Sequence, residues 1–392
     1  MTTLNYQGAI ILSKKEQRIY TIIQKYRDEV YTRLEAAMKL NLSTRQITRI
    51  TNKIREFGMA GVKHGNCGKT SWNKVSEAFV AEYVDLYEKK YHKFNYSHAL
   101  EMMAMHEDLE PISYTKFQIA CRQRGVGKTK KRRRSKARVA RDRHFEEGYM
   151  WQLDGSPDQW SGKETSSLIA LIDDATSKVP GAELHPTETT WACMSVVRKA
   201  IAKFGRPEFI LTDKAGWSEG SSRKRQHFSQ FERACLSIDI TVIATSSPES
   251  KGRVERLNRT FQDRLIPELD FFGITGRKDS NRYLKDVFIP QWDQKFTVVP
   301  YLPSNRYRPI EVHCDLNEVF CLHFKRIVNR DHTVSYGNKR YRILPSQGKT
   351  YKGKDVVIHE YEDKSISIFY GDKKLISEEI IANKRNWDKK GA

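Results

Sequence analysis

The sequence predicts a multidomain α+β chain, with helix-turn-helix units at the N-terminus, a mixed α/β core and a small β-barrel at the C-terminus. Three observations predict it. Apolar residues recur at helical spacing up to about residue 125, strand-like runs alternate with helical stretches between residues 149 and 262, and short alternating strands follow from residue 326. At 392 residues the chain exceeds one ordinary domain. Its 39% hydrophobic content suffices for folded cores, and its net charge of +21 favours a polyanionic partner, most simply nucleic acid. A merely soluble basic protein is the bland alternative, and the clustering of the charge argues against it.

Residues 1–62 form the first expected unit. Ile19, Ile22, Ile23 and Tyr26 mark one apolar face, and residues 34–42 give a second helix and a turn. Ser43-Thr-Arg-Gln46 has the form of a capping box. The helix it opens turns Ile47, Ile50 and Ile54 inward and leaves Arg45, Gln46, Arg49 and Thr51 on other faces. A helix, a tight turn and a basic second helix suit a major groove, so Arg45, Gln46 and Arg49 are candidate DNA contacts. The competing reading is a plain helical hairpin with solvated charges. The small-residue linker at 64–71 lacks the spacing of a phosphate-binding loop.

A second helical unit is expected over residues 74–125. Its last helix, opened by Ser113, has the look of another recognition helix and offers Lys116, Arg122 and Arg124 to DNA. Residues 126–144 are a basic linker. The run containing Lys130, Lys131, Arg132, Arg133 and Arg134 repels itself and should track phosphates. A solvated spacer is the alternative.

Between residues 145 and 300 three phrases stand out. Asp154 follows the alternating run Tyr149-Met-Trp-Gln-Leu, Asp213 ends the apolar run Phe209-Ile-Leu, and Glu255 lies among Val254, Leu257, Phe261 and Leu265 at helical spacing. Two strands and a helix could thus gather three carboxylates into a hard-oxygen site suited to Mg²⁺ or Mn²⁺. A pair of such ions about 3.5–4 Å apart activates a hydroxyl and steadies the leaving oxygen of a phosphodiester. Arg259 and Gln262 share the face of Glu255 and could grip DNA beside the ions. Asp158, Asp173, Asp174 and Glu249 compete as acids. Asp173 and Asp174 better serve a turn toward Ser177, and Glu249 has no fixed facing.

The phrases around Asp154, Asp213 and Pro248-Glu-Ser-Lys-Gly-Arg-Val-Glu255-Arg-Leu-Asn-Arg-Thr resemble the Asp, Asp and Glu (DDE) blocks of the catalytic core shared by retroviral integrases and bacterial insertion-sequence transposases. With the helical units ahead of it, the chain most resembles ISNCY-type transposases. The resemblance implies a ribonuclease-H-like core with Asp154, Asp213 and Glu255 as catalytic metal ligands for Mg²⁺ or Mn²⁺. It also implies double-stranded DNA as partner, both element ends and target, and a homo-oligomer assembled on it. The gap from Asp213 to Glu255 is longer than the retroviral pattern, through an insertion at 216–227. A catalytically silent DNA-binding regulator and a ribonuclease-H-type nuclease without strand transfer are the alternatives.

Residues 295–309 read as a proline-broken arm of the kind laid across a partner, and residues 326–380 as the small barrel. The six cysteines include no Cys-x-x-Cys pair, which fits free thiols in a reducing compartment. His313, Cys314, Cys321 and His323 group loosely, at a spacing that matches no zinc motif. With neither a signal pattern nor a membrane-length apolar run, a cytoplasmic, nucleoid-associated protein is expected.

Overall fold

The computed structural model describes residues 10–67, 74–127, 141–162, 164–213, 229–245, 250–344 and 350–380. Two compact units divide the chain at residues 82 and 83.

The first unit contains α1 (Lys14–Arg27), α2 (Arg33–Leu40) and α3 (Thr44–Phe57). Each begins with a reciprocal capping box, Ser13 with Glu16, Thr32 with Glu35 and Ser43 with Gln46, so the free amides at each N-terminus are satisfied locally. Asn41 turns the chain in the left-handed region (φ 52°), so three residues suffice between α2 and α3. Ile23, Ala36, Ala37, Ile47 and Ile54 fill the core. Thr51 departs from expectation. It is buried, and its hydroxyl donates to the Ile47 carbonyl at 2.9 Å, so a threonine can stay on the inner face of the helix.

The second unit begins within α4 (Glu77–Leu86), which continues as a π turn over Tyr87–Tyr91, and proceeds to α5 (Tyr96–His106) and α6 (Tyr114–Gln123). Tyr87, Tyr96 and Phe117 pack edge to face or tilted there.

A five-stranded sheet follows, built from β1 (Met150–Ser161), β2 (Glu164–Asp173), β3 (Gly181–His185), β4 (Phe209–Thr212) and β5 (Thr241–Ala244). Its order is β3-β2-β1-β4-β5, with β1, β2 and β3 antiparallel and β4 and β5 parallel to β1. An antiparallel meander is thus followed by two parallel strands. On one face α7 (Thr190–Phe204) and α8 (Gln230–Leu236) cover Trp151, Leu153, Ile169 and Leu171. On the other, α9 (Gly252–Phe271) lays Val254, Leu257, Phe261 and Leu265 over Leu168, Ala170 and Ile172. Because strand residues alternate faces, Gln152 and Asp154 point toward α9, whereas Trp151 and Leu153 point away.

The helices α5 and α9 are tied together. Arg264 forks onto Glu101 at 2.7 and 3.1 Å, and the buried His98 and Glu268 meet at 2.7 Å. The second helical segment is thereby braced against the helix that carries Glu255.

Beyond α9 come α10 (Arg277–Tyr283), a π turn over Leu284–Phe288 and α11 (Ile289–Phe296). The arm that follows lies along its own core, with Leu302 and Arg306 amides donating to Phe145 and Glu147 carbonyls at 2.9 and 2.8 Å. Trp151 Nε1 donates to the Tyr307 hydroxyl at 2.8 Å. The short α12 (Leu316–Val319) leads into β6 (Leu322–Ile327), β7 (Thr333–Tyr336), β8 (Lys339–Ile343), β9 (Asp355–Glu360), β10 (Ile366–Tyr370), β11 (Lys373–Leu375) and β12 (Ser377–Ile380).

These strands do not close into the expected barrel among the described residues. Among the described residues they form two sheets, β11-β10-β9-β6 and β12-β8-β7, around Val328, Val334, Ile343, Val356, Ile358 and Ile368. Alternation fixes which side chains face inward, but leaves open which edges pair and so whether the sheets close. No helix among the described residues is long and apolar enough to cross a membrane.

Candidate active site

Asp154 sits within β1 and Asp213 directly after β4. The parallel register pairs Gln152 with Leu211, and its continuation by two residues sets the two aspartates side by side where the strands diverge. Such a crevice at the carboxyl ends of parallel strands is where sheets of this kind bind ligands. Glu255 lies in the first turn of α9 and is half-buried.

Lys251, immediately ahead of α9, was only a spacer in the sequence pattern. Its ammonium lies 2.5 Å from Asp154 Oδ1 and 3.6 Å from Asp213 Oδ2, with the side chain only 9% exposed. Asn258 Nδ2 donates to Asp154 Oδ2 at 2.9 Å, so both oxygens of that carboxylate are engaged. Burial pushes the Asp154 carboxyl above its ordinary range. The Lys251 ammonium pulls the other way, and the charges of Asp213 and Glu255 add to the rise. The three acids are thus electrostatic neighbours. They are not fully closed on one another: among the described residues their oxygens do not all fall within 4.8 Å.

A further acid, Glu188, stands in the connection between β3 and α7. A Cβ built on Gly155 would lie 2.0 Å from Glu188 Oε2, so glycine next to Asp154 leaves room for that carboxylate. The buried Cys193 thiol is pushed upward by burial first and then by the charges of Glu188, Asp213 and Asp154. Glu188 precedes α7 by two residues, and nothing in its local pattern connects it with Asp154.

Behind the site lies a buried polar network. Asp174, fully buried, accepts from Gln152 Nε2 at 2.6 Å, Arg253 Nη1 at 3.0 Å, the His144 amide at 3.0 Å, and Arg141. Gln152 Oε1 in turn accepts the Val254 amide at 3.1 Å, at the start of α9. The chain Asp174–Gln152–Val254 therefore fixes the helix turn that presents Glu255. Asp173 does serve the turn, accepting from the Ala175 and Thr176 amides, but Asp174 has this larger part.

The candidate DNA contacts fall in different settings. Arg45 and Arg49 are exposed on α3, whereas Gln46 Oε1 is engaged by the Ser43 amide at 2.8 Å. On α6 Lys116 is half-buried and Arg122 exposed, and Arg124 just beyond it is paired with Asp85. Arg259 is exposed on α9, while Gln262 turns inward to the Ser156 hydroxyl at 3.2 Å. Lys130, Lys131, Arg132, Arg133 and Arg134 lie outside the described residues, as does Glu249.

No protein-family model matches the chain. It is similar to y4bF of Sinorhizobium fredii, provisionally named a transposase, at 28% identity over 400 residues, covering 96% of this chain and 86% of that protein. The transposase for insertion sequence IS1202 of Streptococcus pneumoniae is likewise 28% identical over 411 residues, covering 93% and 86%. Among solved structures, the HTLV-2 integrase catalytic core domain in complex with magnesium shares 20% identity and a TM-score of 0.30 over 36% of this chain and 87% of its own. The simian T-cell lymphotropic virus intasome in complex with the PP2A regulatory subunit B56 gamma shares 15% identity and a TM-score of 0.34, over 75% of this chain and 99% of that one.

Proposed function

We propose that the chain is a DNA transposase of the three-carboxylate kind, close to the ISNCY-type pattern. It binds the ends of a mobile element, cleaves phosphodiester bonds and joins the freed 3′ ends to target DNA. One observation carries this reading: Asp154 and Asp213 converge on a single ammonium from two adjacent parallel strands. The transposase names of relatives matched over most of their length support it.

The donor set fits divalent cations. Lys251 Nζ is a stand-in cation lodged between two hard carboxylates, and Glu255 supplies a third acid at the margin. Asp154, Asp213 and Glu255 would hold Mg²⁺ or Mn²⁺, two ions by the chemistry of phosphodiester transfer, which when bound activate the attacking oxygen and steady the leaving one.

The chain's own residues do the rest. Asn258 donates to Asp154 Oδ2, a hydrogen bond that favours the ionised carboxylate against the rise that burial imposes. The Asp174–Gln152 pair fixes the first turn of α9, and with it Glu255. Lys251, once displaced from the carboxylates, lies within reach of a phosphate oxygen at the same place, and exposed Arg259 sits one turn beyond Glu255 to bind the backbone. The α3 face with Arg45 and Arg49 reads the element ends, and the basic run at 126–144 follows the phosphates. A homo-oligomer on DNA holds two ends together.

The test is incubation with duplexes copying the ends of the element that encodes the chain, with Mg²⁺, reading nicked and joined strands. Asp154→Ala and Asp213→Ala should each abolish both products and leave end binding intact. Metal-dependent joining by either purified variant would refute these roles.

A further inference from the structure

Cys321 and His323 occupy positions i and i+2 at the start of β6, so their side chains share one face, and His359 lies directly opposite His323 on β9. That face is the one turned away from the C-terminal apolar core, which Phe324 and Ile358 line from the other side. α12 and α8 cover it: Gln230 brackets the His323 backbone at 2.8 and 3.0 Å, and Arg233 donates to the Cys321 carbonyl at 2.5 Å. The three side chains therefore lie where α8 and α12 pack against the C-terminal strands.

We propose that Cys321, His323 and His359 form a zinc-binding site that fastens β6 and β9 to α12. One donor atom from each lies within 4.8 Å of the other two. A thiolate with two imidazoles is a soft-to-borderline donor set that selects zinc over magnesium. The surroundings are arranged as around a zinc-bound histidine. Glu318 Oε2 engages His359 Nδ1 at 2.8 Å, which leaves Nε2 to carry the lone pair, and Glu318 Oε1 is itself held by the Tyr361 hydroxyl at 2.6 Å. Carboxylate–histidine pairs of this kind fix the tautomer and orientation of a ligand ring.

The two imidazoles stack flat, with centroids 3.8 Å apart and planes 9° from parallel. With His359 held by Glu318, coordination asks the His323 ring to turn about χ2, a broad and roughly twofold torsion, until the two lone pairs converge. The Cys321 thiol, now donating to the Glu318 carbonyl at 3.0 Å, gives up its proton to solvent as the Zn–S bond forms. Water completes a tetrahedron. The grouping was half-visible in the sequence as His313, Cys314, Cys321 and His323. The third ligand comes instead from the neighbouring strand, and Cys314 packs against the core.

The experiment is a Co²⁺ titration of the full-length protein after chelation, with zinc content measured on protein purified without chelator. About one equivalent of zinc is expected. Co²⁺ should give a near-ultraviolet thiolate charge-transfer band and strong visible bands of tetrahedral geometry, reversed by zinc. Cys321→Ser should remove the thiolate band, and Glu318→Gln should weaken zinc binding about 10- to 100-fold. Cys314→Ser and an Asp154→Ala/Asp213→Ala double variant should leave the bands unchanged, which separates this site from the acidic one. Should the Cys321 variant fail to fold, the parent decides alone. A parent protein with no thiolate band at stoichiometric Co²⁺, or a band that survives in Cys321→Ser, overturns the proposal.

Discussion

Lys251→Met should make the DNA-free protein bind Mn²⁺ more tightly. The ammonium lies 2.5 and 3.6 Å from the two aspartates, so any divalent ion that takes both carboxylates must first eject it. At an effective dielectric of about 20, the longer contact alone is worth roughly 5 kcal/mol of Coulomb attraction. Most of that is cancelled, because a lysine only 9% exposed recovers its hydration when it leaves. A net cost of about 1.5–3 kcal/mol to metal binding remains, which removal of the charge converts into roughly 10- to 100-fold higher affinity. Methionine keeps the length of the side chain and its packing without the charge. Calorimetric titration, or loss of the free Mn²⁺ resonance signal at fixed ionic strength, reads the change directly and needs no catalysis. The gain should vanish when Asp213→Asn is added. Unchanged or weaker Mn²⁺ binding by Lys251→Met would refute the idea that the lysine occupies the ion's place.

Asp174→Ala should destabilise the second unit by about 3–5 kcal/mol, since it strands the Arg253 guanidinium and the Gln152 amide in a buried setting. Denaturant titration followed by tryptophan fluorescence measures it, and Arg253→Gln combined with Asp174→Ala should cost less than the sum of the two. Asn258→Leu removes a hydrogen bond to a carboxylate worth roughly 1.5–3 kcal/mol, so cleavage should fall about 10- to 100-fold with end binding unchanged. Burial already raises Asp154, and the reaction needs it ionised. Activity should therefore fail on acidification at a higher pH than an ordinary aspartate would dictate, and Asn258→Leu should move that limb further up. A limb that stays put on losing the amide donor would remove Asn258 from this role.

How much of this could be read from the sequence follows from which interactions are local. Strand alternation around Asp154 and helical spacing around Glu255 are properties of a few successive residues, and both elements formed with the expected faces. Asn258 also left a signal: it stands next to Leu257 and four residues after Val254, on the buried stripe of α9, where a polar side chain needs a partner. Gln152, between two core residues of β1, left the same signal. Lys251 did not, because a lysine in a Ser/Gly stretch reads as solvated until the fold closes over it. Glu188 was beyond reach, since its place above Gly155 depends on how the β3–α7 connection crosses the sheet.

The distinction has a consequence for the site itself. Periodicity identifies the acids that elements present, but the groups that set their charge, Lys251, Asn258 and the Asp174–Gln152 pair, come from segments with no periodic reason to meet. Asp154 shows why those groups matter: burial alone would favour its neutral form, and a neutral carboxyl binds no magnesium. An ammonium and an amide donor oppose that tendency while the ion is not bound. Departure of Lys251 toward a DNA phosphate would then free both carboxylates for a cation, which takes over the ammonium's part in holding Asp154 ionised while Asn258 keeps donating to it. Metal and DNA binding should accordingly be mutually reinforcing in the parent protein, each tightening the other by the same factor. In Lys251→Met most of that coupling should be gone.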